Sequence, residues 1–162
     1  MVKHWSWDNV ISFSVIGLYG IPWIRYLLTF DSSELYPFWG MIATMIVNES
    51  IKYGLIGTAS PRPKEATDCN LWVNDGPQGG RPGAPSGHSA QVSFFVGYYL
   101  QRLSVLHPTL SPLSLVLIRA GLVLYALLVM LSRWTKRCHT LGQIVSGSAL
   151  GTLLSVMMVR HL

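Results

Sequence analysis

The sequence predicts an all-α integral membrane protein, a helical bundle of about five transmembrane helices. Half of its 162 residues are hydrophobic, only 12% are charged, and the mean hydropathy is +0.38. Soluble domains carry about 25% charged residues, so this chain lacks the polar surface that water requires. Five apolar segments also have about the length, roughly 20 residues, that a helix needs to cross a bilayer. We treat residues 1–162 as a single domain.

The five segments are joined by short connections, with one long exception. They span 10–30, 38–59, 88–106, 112–131 and 140–159. The long connection, 60–85, is rich in Pro, Gly, Asn and Asp and is predicted to be irregular. The third segment carries Gln91, Gln101 and Arg102. These side chains suit a helix packed inside the bundle.

Five crossings place the connections on alternating sides of the membrane. What we call side A holds the N-terminus, the connection 60–87 and the loop 132–139. Side B holds the two remaining loops and the C-terminus. Three separate stretches bring polar residues to side A: Arg62, Lys64, Arg81, Ser86, His88, Arg133, Lys136, Arg137 and His139. Lys52, inside the second segment, can extend its side chain toward the same surface.

The residues of side A suit phosphate chemistry. Arginine guanidinium groups match phosphate oxygens with paired hydrogen bonds. Ser86 and Gly87 open the third helix, whose free N–H groups and positive dipole end attract anions. His88 and His139 titrate near neutral pH and can supply an acid and a nucleophile. The pattern predicts a phosphoryl-transfer site at the membrane interface. The basic residues do not form a solvated patch, which argues against nucleic acid as a partner.

The same residues form three motifs in order along the chain. The first is Lys52 with Arg62-Pro63, the second is Pro85-Ser86-Gly87-His88, and the third is Ser132-Arg133 followed after five residues by His139. In these motifs the chain resembles the type 2 phosphatidic acid phosphatase (PAP2) superfamily. That superfamily includes lipid phosphate phosphatases, polyprenyl diphosphate phosphatases and glucose-6-phosphatase. The resemblance extends from about Lys52 to Gln143.

The resemblance implies a phosphatase that uses no metal and no cofactor and forms a phosphohistidine. His139 would attack phosphorus, and His88 would protonate the leaving oxygen and later activate water. The phosphate oxygens would be held by Lys52, Arg62, Ser86, Gly87 and Arg133. The implied substrate is a lipid phosphate or polyprenyl diphosphate, whose tail stays among the membrane lipids. The Gly-Pro stretch before the second motif is similar to glucose-6-phosphatase, so a sugar phosphate is an alternative.

The first motif departs from the family pattern in its spacing. Nine residues, rather than six, separate Lys52 from Arg62. On a regular helix this places Lys52 about one turn deeper, and Lys64 is the alternative cation. Glu49 precedes Lys52 by three residues, a spacing that favours an ion pair on one helical face.

The third motif departs in its last residue. The family's final Asp is Gln143 here, four residues after His139 and on the same helical face. We include Gln143 in the catalytic group, since its carbonyl can accept the N–H of the nucleophile, although without a charge. This substitution motivates the alternative function, an inactive relative that binds lipids or acts as an interaction module.

The cysteines and the basic residues bear on the orientation in the membrane. Cys69 and Cys138 both fall on side A, and a bond between them would require an oxidising compartment. Their spacing is not that of a metal site or a disulfide framework, so the pairing stays open. Most Lys and Arg residues lie on side A, which by the positive-inside rule would face the cytoplasm. Relatives commonly place their site on the lumenal or periplasmic face, which is the orientation we expect. The oligomeric state is not determined by the sequence.

Overall fold

The structure, a computed structural model, describes residues 6–162 and confirms the all-α class. Within this range six α-helices occur, named here in chain order: α1 Trp7–Ser14, α2 Gly17–Thr29, α3 Tyr36–Glu49, α4 Gly87–Leu106, α5 Pro112–Thr135 and α6 Leu141–Arg160. No β-strand forms in the described part of the chain. The connection between α3 and α4 contains isolated bridges, from Pro61 to Pro82 and from Thr67 to Pro77.

Helix α4 forms the centre of the bundle, as its polar residues predict. It packs most extensively on α6 and also contacts α5 and α3. Its buried polar side chains have partners: Gln91 donates to the carbonyl of Met41 at 3.2 Å, and the hydroxyls of Ser93 and Ser148 lie 2.8 Å apart. Apolar side chains of the same helix, such as Phe94, belong to the hydrophobic core. The core therefore fixes the helix whose first turn carries site residues.

Helix α6 approaches α4 closely because two glycines lie at the contact. A β-carbon on Gly147 would overlap the carbonyl oxygen of Ser86, and one on Gly151 would overlap that of Ala90. Small residues four positions apart allow helices to approach closely in membranes, and the Gly147–Gly151 spacing predicts this packing. The contact holds the first turn of α4 against the helix that follows His139.

Replacing Gly151 by alanine is expected to destabilise the protein by about 1–3 kcal/mol, because the new methyl group overpacks a backbone contact. The matched control is Gly121→Ala in α5, where a β-carbon meets nothing within 4 Å. That change should be neutral or slightly stabilising, since alanine is the better helix former. Thermal unfolding in detergent measures both variants. Equal unfolding temperatures for the two would contradict the predicted close contact.

The first predicted segment, 10–30, is bent rather than straight. Helices α1 and α2 meet at 43°. The hydroxyl of Ser14 donates to the carbonyl of Ile11 at 2.7 Å, an interaction that bends helices. Pro22 has no N–H for the carbonyl of Leu18. The prediction of one continuous helix is therefore wrong, and α1 packs against α5 while α2 packs against α3.

The second predicted segment, 38–59, is α-helical only in its first part. Helix α3 ends at Glu49, and the chain continues as a π-helical turn, Ser50–Ile56, and a 3₁₀ turn, Gly57–Ala59. A π-helical turn uses i→i+5 hydrogen bonds and thus more residues per turn, and such turns are frequent at functional sites. The prediction of a continuous α-helix is wrong here, and Lys52 lies within the π-helical turn.

Two helices, α5 and α6, are each long and apolar enough to cross a membrane. Helices α1 and α2 together would form a third crossing. Helix α4 has 20 residues, a length of roughly 30 Å, but its polar side chains lower its hydropathy. Helices α3 and α4 could cross the membrane only with their polar residues buried in the bundle. The total of five membrane crossings therefore stays a prediction.

Candidate active site

A cavity of about 310 Å³ lies at the side A end of the bundle. Five of the eight predicted site residues line it, from four separate parts of the chain: Lys52, Arg62, Gly87, His88 and His139. Other parts of its wall include Tyr19, Met45, Asn48, Glu49, Tyr53, Trp72 and Gln91. The fold thus brings together the two histidines and two of the three cations that the motifs predict.

Gln143 determines the orientation of the imidazole of His139. The Gln143 carbonyl oxygen lies 3.2 Å from Nδ1 of His139 and accepts the backbone N–H of Thr140 at 3.2 Å. Its NH₂ group donates to the carbonyl oxygens of Pro61 at 2.9 Å and Ser60 at 3.3 Å. Backbone carbonyls only accept and backbone N–H groups only donate, so the carboxamide fits in one orientation. Nδ1 of His139 therefore carries a proton, and Nε2 keeps the lone pair that a nucleophile needs.

The surroundings of His139 favour its neutral form. Burial, followed by the positive charges of Arg133 and Arg62, holds the pKa of His139 well below its usual value of 6.5. The hydrogen bond with Gln143 acts in the opposite direction without reversing the shift. A neutral imidazole is the nucleophilic form, so the lowered pKa is compatible with the nucleophile role that the resemblance implies for His139.

The lowered pKa of His139 predicts the acid side of the pH–rate profile. With His139 as the nucleophile, its neutral form would be the active one. Because burial lowers its pKa, activity should then persist as the pH falls through 6.5 and decline only below it. The profile of kcat/KM reports on the free enzyme and, corrected for the ionisation of the substrate phosphate, measures this decline. A midpoint at or above pH 6.5 would contradict the prediction.

His88 lies in the first turn of α4, on the cavity wall. The residue is 4% exposed, and its Nε2 has no hydrogen-bond partner among the residues that the structure describes. Buried polar atoms are nearly always hydrogen-bonded, so a ring nitrogen left without a partner beside a cavity is available to a ligand. This placement is compatible with the acid–base role that the resemblance implies.

Lys52 is buried and reaches the cavity through the π-helical turn. Its ammonium nitrogen lies 2.5 Å from a carboxylate oxygen of Glu49, which confirms the expected ion pair. Asn48 donates to the same oxygen at 2.9 Å. A β-carbon on Gly87 would lie 3.8 Å from the Lys52 ammonium. The cation is therefore held beside the first residue of α4, where an anion would also meet the helix N-terminus.

Arg62 is positioned by the irregular connection before α4. Its backbone N–H donates to the carbonyl of Arg81 at 2.8 Å, and its carbonyl accepts from Gly80 at 3.2 Å. Its Nε donates to the carbonyl of Pro82 at 3.3 Å, and its Nη1 is buried with no partner within residues 6–162. Burial lowers the pKa of Arg62. Lys64, the alternative cation, does not belong to the cavity wall.

Ser86, Arg133 and Gln143 lie outside the cavity wall. Arg133 is fully buried and donates to the hydroxyl of Ser12 and the carbonyl of Cys69, both at 2.7 Å. The backbone N–H of Ser86 donates to the carbonyl of Gln143 at 2.9 Å. Arg133 thus contributes positive charge near His139, while direct contact of Arg133 or Ser86 with phosphate stays a prediction.

Cys69 and Cys138 form a disulfide bond, the pairing that the sequence left open. Cys138 directly precedes His139, and Cys69 belongs to the long connection that also carries Arg62. Both cysteines are buried. The bond therefore ties the connection between α3 and α4 to the stretch that holds His139.

Several residues of the cavity wall were missed by the sequence analysis. The hydroxyl of Tyr19 donates to the side chain of Gln91 at 2.8 Å, which joins α2 to α4. Asn48 and Gln91 stand four residues before Lys52 and three residues after His88, on the same helical faces, so their spacing carried a usable signal. Tyr19 had no such signal in the sequence, because its position on the cavity wall depends on how α2 packs.

Comparisons with known proteins show the family and the fold of this chain. The family model of the PAP2 superfamily matches residues 33–161. The search of curated proteins found no match. Among solved structures, the crystal structure of a transmembrane PAP2-type phosphatidylglycerolphosphate phosphatase from Bacillus subtilis is similar, with a TM-score of 0.73 and 19% identity. The similarity covers 99% of this chain and 79% of that chain, and at this identity it shows a common fold.

Proposed function

The chain belongs to the PAP2 superfamily, and from this premise we propose that it is a metal-independent membrane phosphatase acting through a phosphohistidine on His139. Its substrate is a lipid phosphate or diphosphate. The observation that carries the proposal is the convergence of His139, His88 and two cations on one cavity, with Nδ1 of His139 facing the carbonyl of Gln143.

The first half-reaction transfers the phosphoryl group to the enzyme. Nε2 of His139 attacks phosphorus, and the bond from phosphorus to the leaving oxygen breaks; that oxygen belongs to an alcohol in a monophosphate and to a phosphate in a diphosphate. The imidazolium form of His88 gives that oxygen a proton, help that is worth about 10²–10⁴-fold. Lys52 and Arg62 stabilise the charge on the equatorial oxygens of the transition state.

The second half-reaction releases phosphate. His88, now neutral, takes a proton from water, and the resulting hydroxide attacks the phosphohistidine. The phosphorus–nitrogen bond breaks, phosphate leaves, and His139 returns to its neutral form with the proton on Nδ1. The proposal assigns charge neutralisation to the cationic side chains of Lys52 and Arg62, which line the cavity.

The rim of the cavity supports a lipid substrate. Trp72 and Tyr53 are each 61% exposed and Met45 is 39% exposed, although all three line the cavity. Such side chains beside a bilayer can contact a lipid tail while the phosphate lies deeper. Since the similar Bacillus subtilis protein is a phosphatidylglycerolphosphate phosphatase, that lipid is the first candidate substrate, ahead of phosphatidic acid and polyprenyl diphosphate.

The test is phosphate release by the purified protein in detergent with EDTA. The panel contains phosphatidylglycerol phosphate, phosphatidic acid, a polyprenyl diphosphate and glucose 6-phosphate. Turnover of one lipid would support the proposal, and turnover of glucose 6-phosphate alone would shift it to the sugar phosphate class. No turnover, with phosphate or lipid still bound, would favour the alternative of an inactive binding module.

We also propose that side A faces an oxidising compartment, either the periplasm, the cell exterior or an organelle lumen. The support is the Cys69–Cys138 bond, because disulfides persist in such compartments and are rare in the cytosol. Denaturing whole cells in acid, blocking the free thiols of the denatured protein, and then reducing and labelling measures the pairing in place. Cysteines that are already blocked before reduction would contradict this orientation.

A further inference from the structure

The carboxamide of Gln143 occupies a site that matches its hydrogen-bonding groups. Its NH₂ group has three acceptors: the carbonyl of Pro61 at 2.9 Å, the hydroxyl of Ser60 at 3.1 Å and the carbonyl of Ser60 at 3.3 Å. Its carbonyl faces the N–H of Thr140 and Nδ1 of His139, both at 3.2 Å. Donors thus meet acceptors on both sides of the group.

Space for this carboxamide depends on Gly83. A β-carbon there would lie 2.6 Å from the nitrogen, 2.7 Å from the oxygen and 2.8 Å from the amide carbon of Gln143. The backbone N–H of Gly83 donates to the carbonyl of Ser60 at 2.9 Å, which holds the two sides of the site together. A β-carbon at position 83 would therefore displace the end of the Gln143 side chain from its hydrogen-bond partners.

A carboxylate would not fit the same surroundings. An ionised glutamate in place of Gln143 would direct an oxygen without a proton at the carbonyls of Ser60 and Pro61, and like partial charges repel. Aspartate, the residue that the family pattern carries here, is one methylene shorter and does not need the space over Gly83. The surroundings are thus suited to glutamine, which is 2% exposed.

We infer that Ser60, Pro61 and Gly83 form a carboxamide socket that makes Gln143 a working replacement for the family's aspartate. They are positioning residues, since they act on His139 only through Gln143. The socket keeps the Nδ1 proton in place with a neutral partner, so the nucleophile is oriented without the charge of a carboxylate. This inference rests on the proposed function, in that it assigns the socket a role in the same phosphoryl transfer.

A double-mutant cycle tests the socket, because it separates the coupling between two positions from the effect that each substitution has alone. The four proteins are wild type, Gly83→Ala, Gln143→Asp and the double variant, with Gly142→Ala as control. A β-carbon on Gly142 meets only the Thr140 hydroxyl, at 4.0 Å. Gly83→Ala should lower kcat by about 10–100-fold in the wild-type background and by less than about 3-fold in the Gln143→Asp background. The larger loss is part of the reduction in kcat, about 10⁴-fold, that a wrong histidine tautomer causes.

Thermal unfolding of the same four proteins gives a readout that needs no turnover. Gly83→Ala should lower the unfolding temperature when Gln143 is present and leave it nearly unchanged in the Gln143→Asp background. Equal effects of Gly83→Ala in both backgrounds, in kcat and in unfolding temperature, would overturn the inference. If wild type proves inactive on every substrate, the proposed function fails, while the unfolding cycle still decides whether the socket exists.

A pH profile of Gln143→Glu separates positioning from a merely structural role. A protonated carboxyl can donate to the socket carbonyls and accept from His139, as the carboxamide does, but an ionised one cannot. The activity of the variant relative to wild type should therefore fall as the pH rises through the carboxyl pKa. A ratio that stays constant with pH, or activity above wild type at neutral pH, would overturn the inference.

Discussion

Replacing His139 by alanine is expected to lower phosphate release by about 10⁴-fold or more. The imidazole is the proposed nucleophile, and loss of a nucleophile in a concerted group of residues removes nearly all catalysis beyond binding. The residue is 2% exposed on the cavity wall, and alanine there removes the imidazole together with its hydrogen bond to Gln143. Rates with the identified substrate in EDTA measure the effect.

The matched control is His161→Ala, an exposed histidine beyond the end of α6. It should retain the wild-type rate. If His139→Ala keeps more than about one-tenth of the activity while remaining folded, His139 is not the nucleophile. Unfolding temperatures of both variants distinguish a lost reaction from a lost structure.

Replacing His88 by alanine should lower kcat by about 10²–10⁴-fold on the natural lipid, the usual contribution of general acid–base catalysis. The loss should depend on the leaving group. An alkoxide is a poor leaving group and needs the proton, whereas a nitrophenolate does not. On a nitrophenyl phosphate, the step that forms the phosphohistidine should therefore be nearly as fast in His88→Ala as in wild type.

Single-turnover release of nitrophenolate measures that step separately from hydrolysis of the intermediate, which also requires His88. Because that hydrolysis is slowed, we also expect the phosphoenzyme to accumulate in His88→Ala. An equal loss for both leaving groups would assign His88 a role in binding or structure instead. The free Nε2 of His88 in the cavity wall motivates this experiment.

The sequence predicts much of this fold because its signals are local. Helices α4, α5 and α6 begin and end within a few residues of the apolar segments that predict them. The bend between α1 and α2 and the π-helical turn around Lys52 were not predicted, since they depend on hydroxyl and backbone contacts rather than on hydropathy. Five residues of the three motifs line one cavity, whereas Ser86, Arg133 and Gln143 lie outside its wall.

The orientation of Gln143 lay beyond the reach of sequence. Its partners Ser60 and Pro61 stand more than 80 positions earlier, and the room for its amide comes from Gly83 in an irregular connection. The disulfide likewise joins residues 69 positions apart. From the motif alone the glutamine was compatible with a catalytic residue or, alternatively, with an inactive relative, whereas its hydrogen bonds describe a complete polar site.

The most direct test of the account is trapping of the covalent intermediate. Wild type and His139→Ala are mixed with ³²P-labelled substrate in EDTA and quenched in alkali, in which a phosphohistidine survives while acid destroys it. Wild type should carry alkali-stable, acid-labile label at His139, and His139→Ala should carry none. Turnover by wild type without label, or equal label on both proteins, would contradict phosphoryl transfer through His139.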